Sequence, residues 1–203
     1  MFPDSSRALA CGAVIPIRAF ALGKARLADS LGATERATLG RRWAEQVLHA
    51  AAPMPALVVS SDDEVREWAT GLGLEVLDDP GTLDGAAAAG RDHLRAAGYG
   101  RIVVAHADLP RARDLLRLAR DRSQPIVALV PCHRDDGTPV LSVPTAVDFR
   151  FAYGPGSFRR HAAEARRLGL GVRVVRDGDL GFDVDVPDDL LALDATLETS
   201  TLP

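Results

Sequence analysis

Short apolar runs alternating with stretches of helical spacing constrain this chain more than any other feature. The runs are Cys11–Ile17, Ala56–Ser60, Leu74–Leu77, Arg101–Ala107, Ile126–Val130, Val140–Val143 and Val172–Val175. Between them, Leu39, Trp43, Val47 and Leu48 recur at helical spacing from Thr34 onward, and Leu83–Ala97 is alanine-rich. Asp62 or Asp63 is placed to cap a helix holding Val65 and Trp68, and a further helix runs from Phe158 to Leu168. Runs this apolar must be buried on both faces, which is the mark of strands in a sheet covered by helices. The alternation therefore predicts an α/β fold, a three-layer sandwich with a mostly parallel sheet.

A chain of 203 residues with 47% apolar and 26% charged residues supports one sizeable core, read as a single domain over 1–195 with a tail over 196–203. The net charge of −4 and a pI near 5.7 argue against a general nucleic-acid or membrane-surface binder, so any polyanion site must be small and focused. No segment approaches the ~20 apolar residues needed to span a membrane. Cys11 and Cys132 sit beside apolar runs and make neither a disulfide framework nor a zinc cluster, which points to a reducing cytoplasm. Arg7 followed by Ala8–Ile17 faintly mimics a signal peptide, but Pro16 and Arg18 interrupt it and a first buried strand explains the run better.

The chemistry is concentrated in three places. Near the C-terminus, Asp183 and Asp185 lie two residues apart among Phe182, Val184 and Val186, a spacing that in an extended strand puts both carboxylates on one face. Two carboxylates so placed call for a cation, and oxygen-only ligands favour a hard ion such as magnesium. Pro187 then ends the strand and opens a helix with Leu190, Leu191 and Leu193. A third acid, Asp108, follows the run Arg101–Ala107; it either caps a following helix or faces the pair across the carboxyl edge of the sheet. Arg18, Lys24 and Arg26 follow the first strand, where they are either solvated surface charges or phosphate contacts, and the segment is neither a Walker loop nor a dinucleotide turn. Finally, Tyr153-Gly154-Pro155-Gly156-Ser157-Phe158 precedes a helix, reading either as an ordinary turn and cap or as an anion cradle, with Ser157 and His161 one turn apart on one face. Acids at strand tips, basic residues and a glycine-rich cradle together fit metal-assisted phosphoryl chemistry. Asp183-Val184-Asp185 is not the D-x-D of the haloacid-dehalogenase phosphatases, which need it on the first strand, whereas here 18 residues follow Asp185.

The chain resembles the guanylyltransferase family of coenzyme F-420 biosynthesis, which activates 2-phospho-L-lactate or phosphoenolpyruvate with GTP. The matching pieces are Val14–Arg18 with Lys24-Ala25-Arg26-Leu27, then Ala107–Pro110, Asp136-Gly137-Thr138, Tyr153–Phe158 with His161, and Phe182–Pro187. The resemblance implies a nucleotidyltransferase sheet of the glycosyltransferase-A type and a site for two magnesium ions on Asp108, Asp183 and Asp185. It further implies that Thr138, Gly154 and Ser157 hold the phosphorylated three-carbon acid and that Arg18, Lys24 and Arg26 face the GTP triphosphate, Lys24 also serving the reaction. GTP and the phospho-acid are thus the expected partners, while a homodimer and a downstream transferase that takes the product directly are left open by the sequence. Asp84, Cys132 and Pro139 stand where the family commonly has Asn, Asp and Asn. Those departures keep two alternatives in view: a divergent nucleotidyltransferase for another phospho-substrate, and a nucleotide-binding relative without turnover.

Overall fold

The computed structural model describes residues 10–20, 27, 28, 30–119 and 125–199, the last six by backbone alone. Its strands are β1 (Cys11–Pro16), β2 (Ala56–Val59), β3 (Glu75–Leu77), β4 (Arg101–Ala105), β5 (Ile126–Val130), β6 (Val140–Pro144) and β7 (Gly171–Val174). They form one sheet in the order β3-β2-β1-β4-β6-β5-β7. Every pairing is parallel except those of β6, which runs antiparallel to both β4 and β5. The helices are α1 (Ala33–Ala51), α2 (Asp63–Gly71), α3 (Leu83–Ala96), α4 (Ser157–Arg167) and α5 (Pro187–Thr199), with a 3-10 turn at Leu115–Ala119.

The strand period of two sorts the core into two layers. Ala13, Ile15, Val103, Ala105 and Val130 point to the side covered by Ala44 and Val47 of α1, Val65 of α2, and Leu115 and Leu118 of the 3-10 turn. Val14, Ile102, Val104, Leu129 and Leu141 point to the other, against Ala86, Ala87 and Leu94 of α3 and Ala162 and Ala165 of α4. Each fully buried Val, Ile or Leu contributes ~1.5–3 kcal/mol, so this double burial explains why the strands read as continuous apolar runs. The alanines of α3 serve close approach: a Cβ built on Gly90 would lie 2.4 Å from a methyl of Val14.

Local signals end the elements. Asp62 caps α2 by accepting the Val65 N–H at 3.1 Å, and Thr82 caps α3 by accepting the Gly85 N–H at 3.0 Å. Helix α5 continues to Thr199, into the segment read from sequence as a tail.

One expectation changes. The stretch carrying Asp183 and Asp185 has no strand pairing over 182–185. It crosses the carboxyl edge of the sheet instead: Gly181 O accepts the His133 N–H beyond β5 at 2.8 Å, and Val184 N–H reaches Asp108 O beyond β4 at 3.4 Å. A segment lying across strand ends cannot join their ladder. Its alternation survives all the same, since Phe182 and Val184 pack with Leu27 and Trp43 on one side, leaving the carboxylates the other.

Candidate active site

The antiparallel register of β4 and β6 sets where the first acid stands. Ala105 pairs with Val140, and one residue on, His106 N–H donates to Pro139 O at 2.9 Å. Asp108 therefore emerges two residues beyond this bond, at the carboxyl end of β4, where α/β sheets bind ligands. No regular helix starts at Asp108; the next helical turn begins at Leu115, so capping does not account for it.

Asp183 is the most constrained of the acids. It is 8% exposed, and its Oδ1 accepts no hydrogen bond, although His133 Nδ1 lies 3.3 Å away. Burial, then the charge of Asp185, then that of Asp108, raise its pKa above the ordinary carboxylate value. A buried carboxylate whose charge is disfavoured by two neighbouring acids, and whose Oδ1 has no hydrogen-bond partner, has the chemistry of a cation ligand. Among the described residues, no group of three or more His, Cys, Asp or Glu side chains is placed to hold a metal ion by itself. That is compatible with magnesium, which is ordinarily held by one or two carboxylates with substrate phosphates and water completing the shell.

Asp189 shapes the same segment and is not evident from the metal motif alone. Its Oδ2 accepts the N–H groups of Asp185 and Val186 at 2.8 and 3.0 Å, and its Oδ1 receives Arg134 at 2.7 Å. It sits in the first turn of α5 and reaches back over the residues ahead of the helix, the logic of a capping box. Pro187-Asp188-Asp189 after an acid pair was the available signal. Arg111 braces the segment from the other side, its guanidinium 4.0 Å from the Phe182 ring centroid.

Beside Asp108 opens a cleft of about 330 Å³, lined also by Arg18, Trp43, Thr82, Leu83 and His106, among others; Asp183 and Asp185 do not line it. Arg18 is exposed and shares this cleft with Asp108, as a phosphate contact requires. Lys24 and Arg26 lie outside the described residues.

The glycine-rich loop differs from an open cradle. Gly156 N–H donates to Asp136 Oδ1 at 2.8 Å, Ser157 N–H to Gly154 O at 3.0 Å and Phe158 N–H to Asp136 O at 3.1 Å. The amides at the start of α4 are thus committed within the protein, and a ligand here would meet side chains. Gly154 and Gly156 have φ of 94° and 74°, conformations that an L side chain rarely adopts. The loop is locked from several elements: Asp84 of α3 accepts the Tyr153 N–H at 2.6 Å, His161 Nε2 accepts the Ala152 N–H at 2.9 Å, and Arg160 donates to the carbonyls of Ala152, Tyr153 and Pro155.

Thr138, Ser157 and His161 meet as a buried chain, with His161 Nδ1 3.1 Å from Thr138 Oγ1 and that oxygen 3.3 Å from Ser157 Oγ. Burial, then Arg160 and His106, lower the His161 pKa to about 4, so the ring is neutral at physiological pH. Tyr153 links this chain to the acids: its ring centroid is 4.8 Å from that of His161 and 5.4 Å from that of His106. Its hydroxyl is buried without a hydrogen-bond partner, and burial, then Asp84, raise the phenol pKa.

Residues 11–196 match the family described as guanylyl transferase, CofC like. The chain belongs to that guanylyl transferase family. It is 36% identical over 185 residues to a phosphoenolpyruvate guanylyltransferase of Sphaerobacter thermophilus, covering 88% of this chain and 89% of the relative. It is 32% identical over 184 residues to a 2-phospho-L-lactate guanylyltransferase of Methanothermobacter thermautotrophicus, covering 88% and 81%. Among solved structures, a nucleotidyl transferase from Methanothermobacter superposes with a TM-score of 0.67 at 18% identity, covering 94% of this chain and 99% of that one, which supports the fold.

The three positions that depart from the family pattern have contacts of their own in this guanylyl transferase. Asp84 needs only an acceptor for the Tyr153 N–H, which its carboxylate supplies. Cys132 Sγ accepts the Gly137 N–H at 3.1 Å and closes the turn ahead of Thr138. Pro139 contributes its carbonyl to His106 and needs no N–H there. Among the described residues, no helix is long and apolar enough to cross a membrane.

Proposed function

We propose that this chain is a magnesium-dependent guanylyltransferase that transfers GMP from GTP to phosphoenolpyruvate or 2-phospho-L-lactate, as in coenzyme F-420 biosynthesis. The observation that carries the reading is the buried, unsatisfied Asp183 carboxylate, held against the charges of Asp185 and of Asp108, the last of which lines the Arg18 cleft. Asp108, Asp183 and Asp185 would hold magnesium, which when bound neutralises phosphate charge and aligns the reacting groups. Arg18 would contact the triphosphate, with Lys24 and Arg26 serving the same end from the following segment. Thr138 and Ser157 would receive the phospho-acid, with Gly154 allowing the loop its course.

In the reaction a phosphate oxygen of the acid, already ionised at neutral pH, attacks the α-phosphorus of GTP. A new P–O bond forms, the bond to the α,β-bridging oxygen breaks, and pyrophosphate leaves with that electron pair. No protein base is needed, so the residues supply position and charge compensation. Asp189 and Arg134 hold the Asp185 segment in place, and Trp43 and Leu83 give the cleft an apolar wall.

The test is pyrophosphate release measured over a matrix of nucleoside triphosphates and phospho-acids. Release is expected with GTP together with phosphoenolpyruvate or 2-phospho-L-lactate, and loss of release on chelation of magnesium. Release with another nucleotide or acid alone would replace this reading with the divergent one, and tight GTP binding without release would favour a binding protein.

A further inference from the structure

We infer that His161 is a positioning residue that sets the hydrogen-bond polarity of Thr138 and Ser157, so that this hydroxyl pair presents a surplus donor to an anionic oxygen of the substrate. The inference rests on the reading that Thr138 and Ser157 receive the phospho-acid, and it adds how they do so.

A backbone N–H only donates, and that of Ala152 points at His161 Nε2 at 2.9 Å. Nε2 must therefore be the bare nitrogen of the neutral ring, which leaves the hydrogen on Nδ1. Nδ1 then donates to Thr138 Oγ1, 3.1 Å away. The lowered pKa of the ring agrees with this, because a second proton on Nε2 would confront the Ala152 N–H.

A count of hydrogens follows. Nδ1–H, the Thr138 hydroxyl and the Ser157 hydroxyl supply three donors, and the chain contains two contacts, Nδ1 to Oγ1 and Oγ1 to Oγ. Whichever hydroxyl donates across the 3.3 Å contact, one hydroxyl hydrogen is left over. With the opposite tautomer Thr138 would donate to Nδ1 and Ser157 to Thr138, and none would remain. Thr138 and Ser157 are each 1% exposed and His161 is 0% exposed, so the surplus hydrogen is closed off in the ligand-free fold and only an acceptor that enters beside the pair can take it. A buried donor without an acceptor costs free energy, and an anionic phosphate or carboxylate oxygen is the partner that removes the cost most fully. The site thus selects an acceptor. Three elements hold the arrangement: the turn ahead of β6 carries Thr138, α4 carries Ser157 and His161, and the loop before α4 carries Ala152.

Two substitutions separate this role from simple packing. In His161→Asn the side-chain amide nitrogen takes the place of Nδ1 and still donates to Thr138. In His161→Gln the side-chain oxygen takes the place of Nε2 and still accepts from Ala152, but the donation to Thr138 is lost. Kinetics with phosphoenolpyruvate and GTP should show KM for phosphoenolpyruvate raised roughly 10- to 100-fold in His161→Gln and within about threefold of wild type in His161→Asn. KM for GTP should stay unchanged in both. Equal effects of the two variants, or a larger effect of His161→Asn, would overturn the inference. Ser157→Ala serves as the reference: an unchanged KM for phosphoenolpyruvate in that variant would remove the underlying reading instead. Nitrogen-15 spectra of the wild-type imidazole give an answer that needs no variant to fold, with an unprotonated Nε2 expected and a protonated Nε2 contradicting the inference.

Discussion

Asp183→Asn is expected to reduce turnover by roughly 10³-fold while raising the melting temperature of the metal-free protein. The two effects have one cause. Burial and the charges of Asp185 and Asp108 disfavour the ionised Asp183 in the folded state, which is why its pKa is raised. A raised carboxylate pKa means that stability is lost as pH rises through the folded value, so at neutral pH the charge works against folding. Asn removes that charge at nearly constant shape. Relief of ~1 kcal/mol in a chain of this size corresponds to about 2–4 °C. On the proposed function the reaction needs the charge that stability does not: without it the group that would hold magnesium is weakened, and several kcal/mol of transition-state stabilisation would go with it. Melting curves without metal, set beside steady-state rates with it, check both halves. A variant less stable than wild type would mean that Asp183 is a structural acid and not one held against repulsion.

Asp189→Ala is expected to do the reverse, lowering stability and activity together. The carboxylate is 5% exposed and accepts two backbone N–H groups and the Arg134 guanidinium. Its loss leaves those amides without their acceptor, and the expected cost is about 2–3 kcal/mol. Burial alone would raise the Asp189 pKa, but the Asp185 N–H, Arg134 and the Val186 N–H outweigh it and hold the carboxyl below its ordinary value. A lowered carboxylate pKa gives stability that is present above the unfolded value and lost as pH falls through the folded one. The difference between wild type and variant should therefore be full near neutrality and shrink below about pH 4. Denaturant unfolding at pH 7 and pH 3 measures it. Because the Asp185 segment loses its anchor, the magnesium concentration for half-maximal rate should rise as well.

Much of this was legible in the residues. Double-sided burial writes itself into continuous apolar runs such as Ile102–Ala105 and Val127–Val130, so the seven strands of the described residues and their three-layer setting could be read from such runs and the helical stretches between them. A cap at Asp62 or Asp63 could be read because the acceptor role is local, and it falls to Asp62, within three residues of Val65. The acid pair was read correctly as sharing one side and incorrectly as part of a strand, since alternation reports an extended backbone and cannot tell a paired strand from a segment crossing strand ends. The loop at Gly154 and Gly156 announced its unusual backbone but not where its amides go. Asp136 and Asp84, 20 and 69 residues away from the groups they bind, settle that, and no local pattern records such distances. His161 stood out by its spacing from Ser157, whereas its tautomer needed Ala152, which is ordinary in sequence.

The most direct measurement is phosphorus-31 spectroscopy of the protein incubated with GTP, phosphoenolpyruvate and magnesium. The expected outcome is one new pair of mutually coupled phosphoanhydride resonances, joining the α-phosphorus of the nucleotide to the phosphate of the acid, with an equal amount of free pyrophosphate. Formation of GDP with inorganic phosphate, or an unchanged spectrum, would contradict attack at the α-phosphorus at this acid-lined cleft.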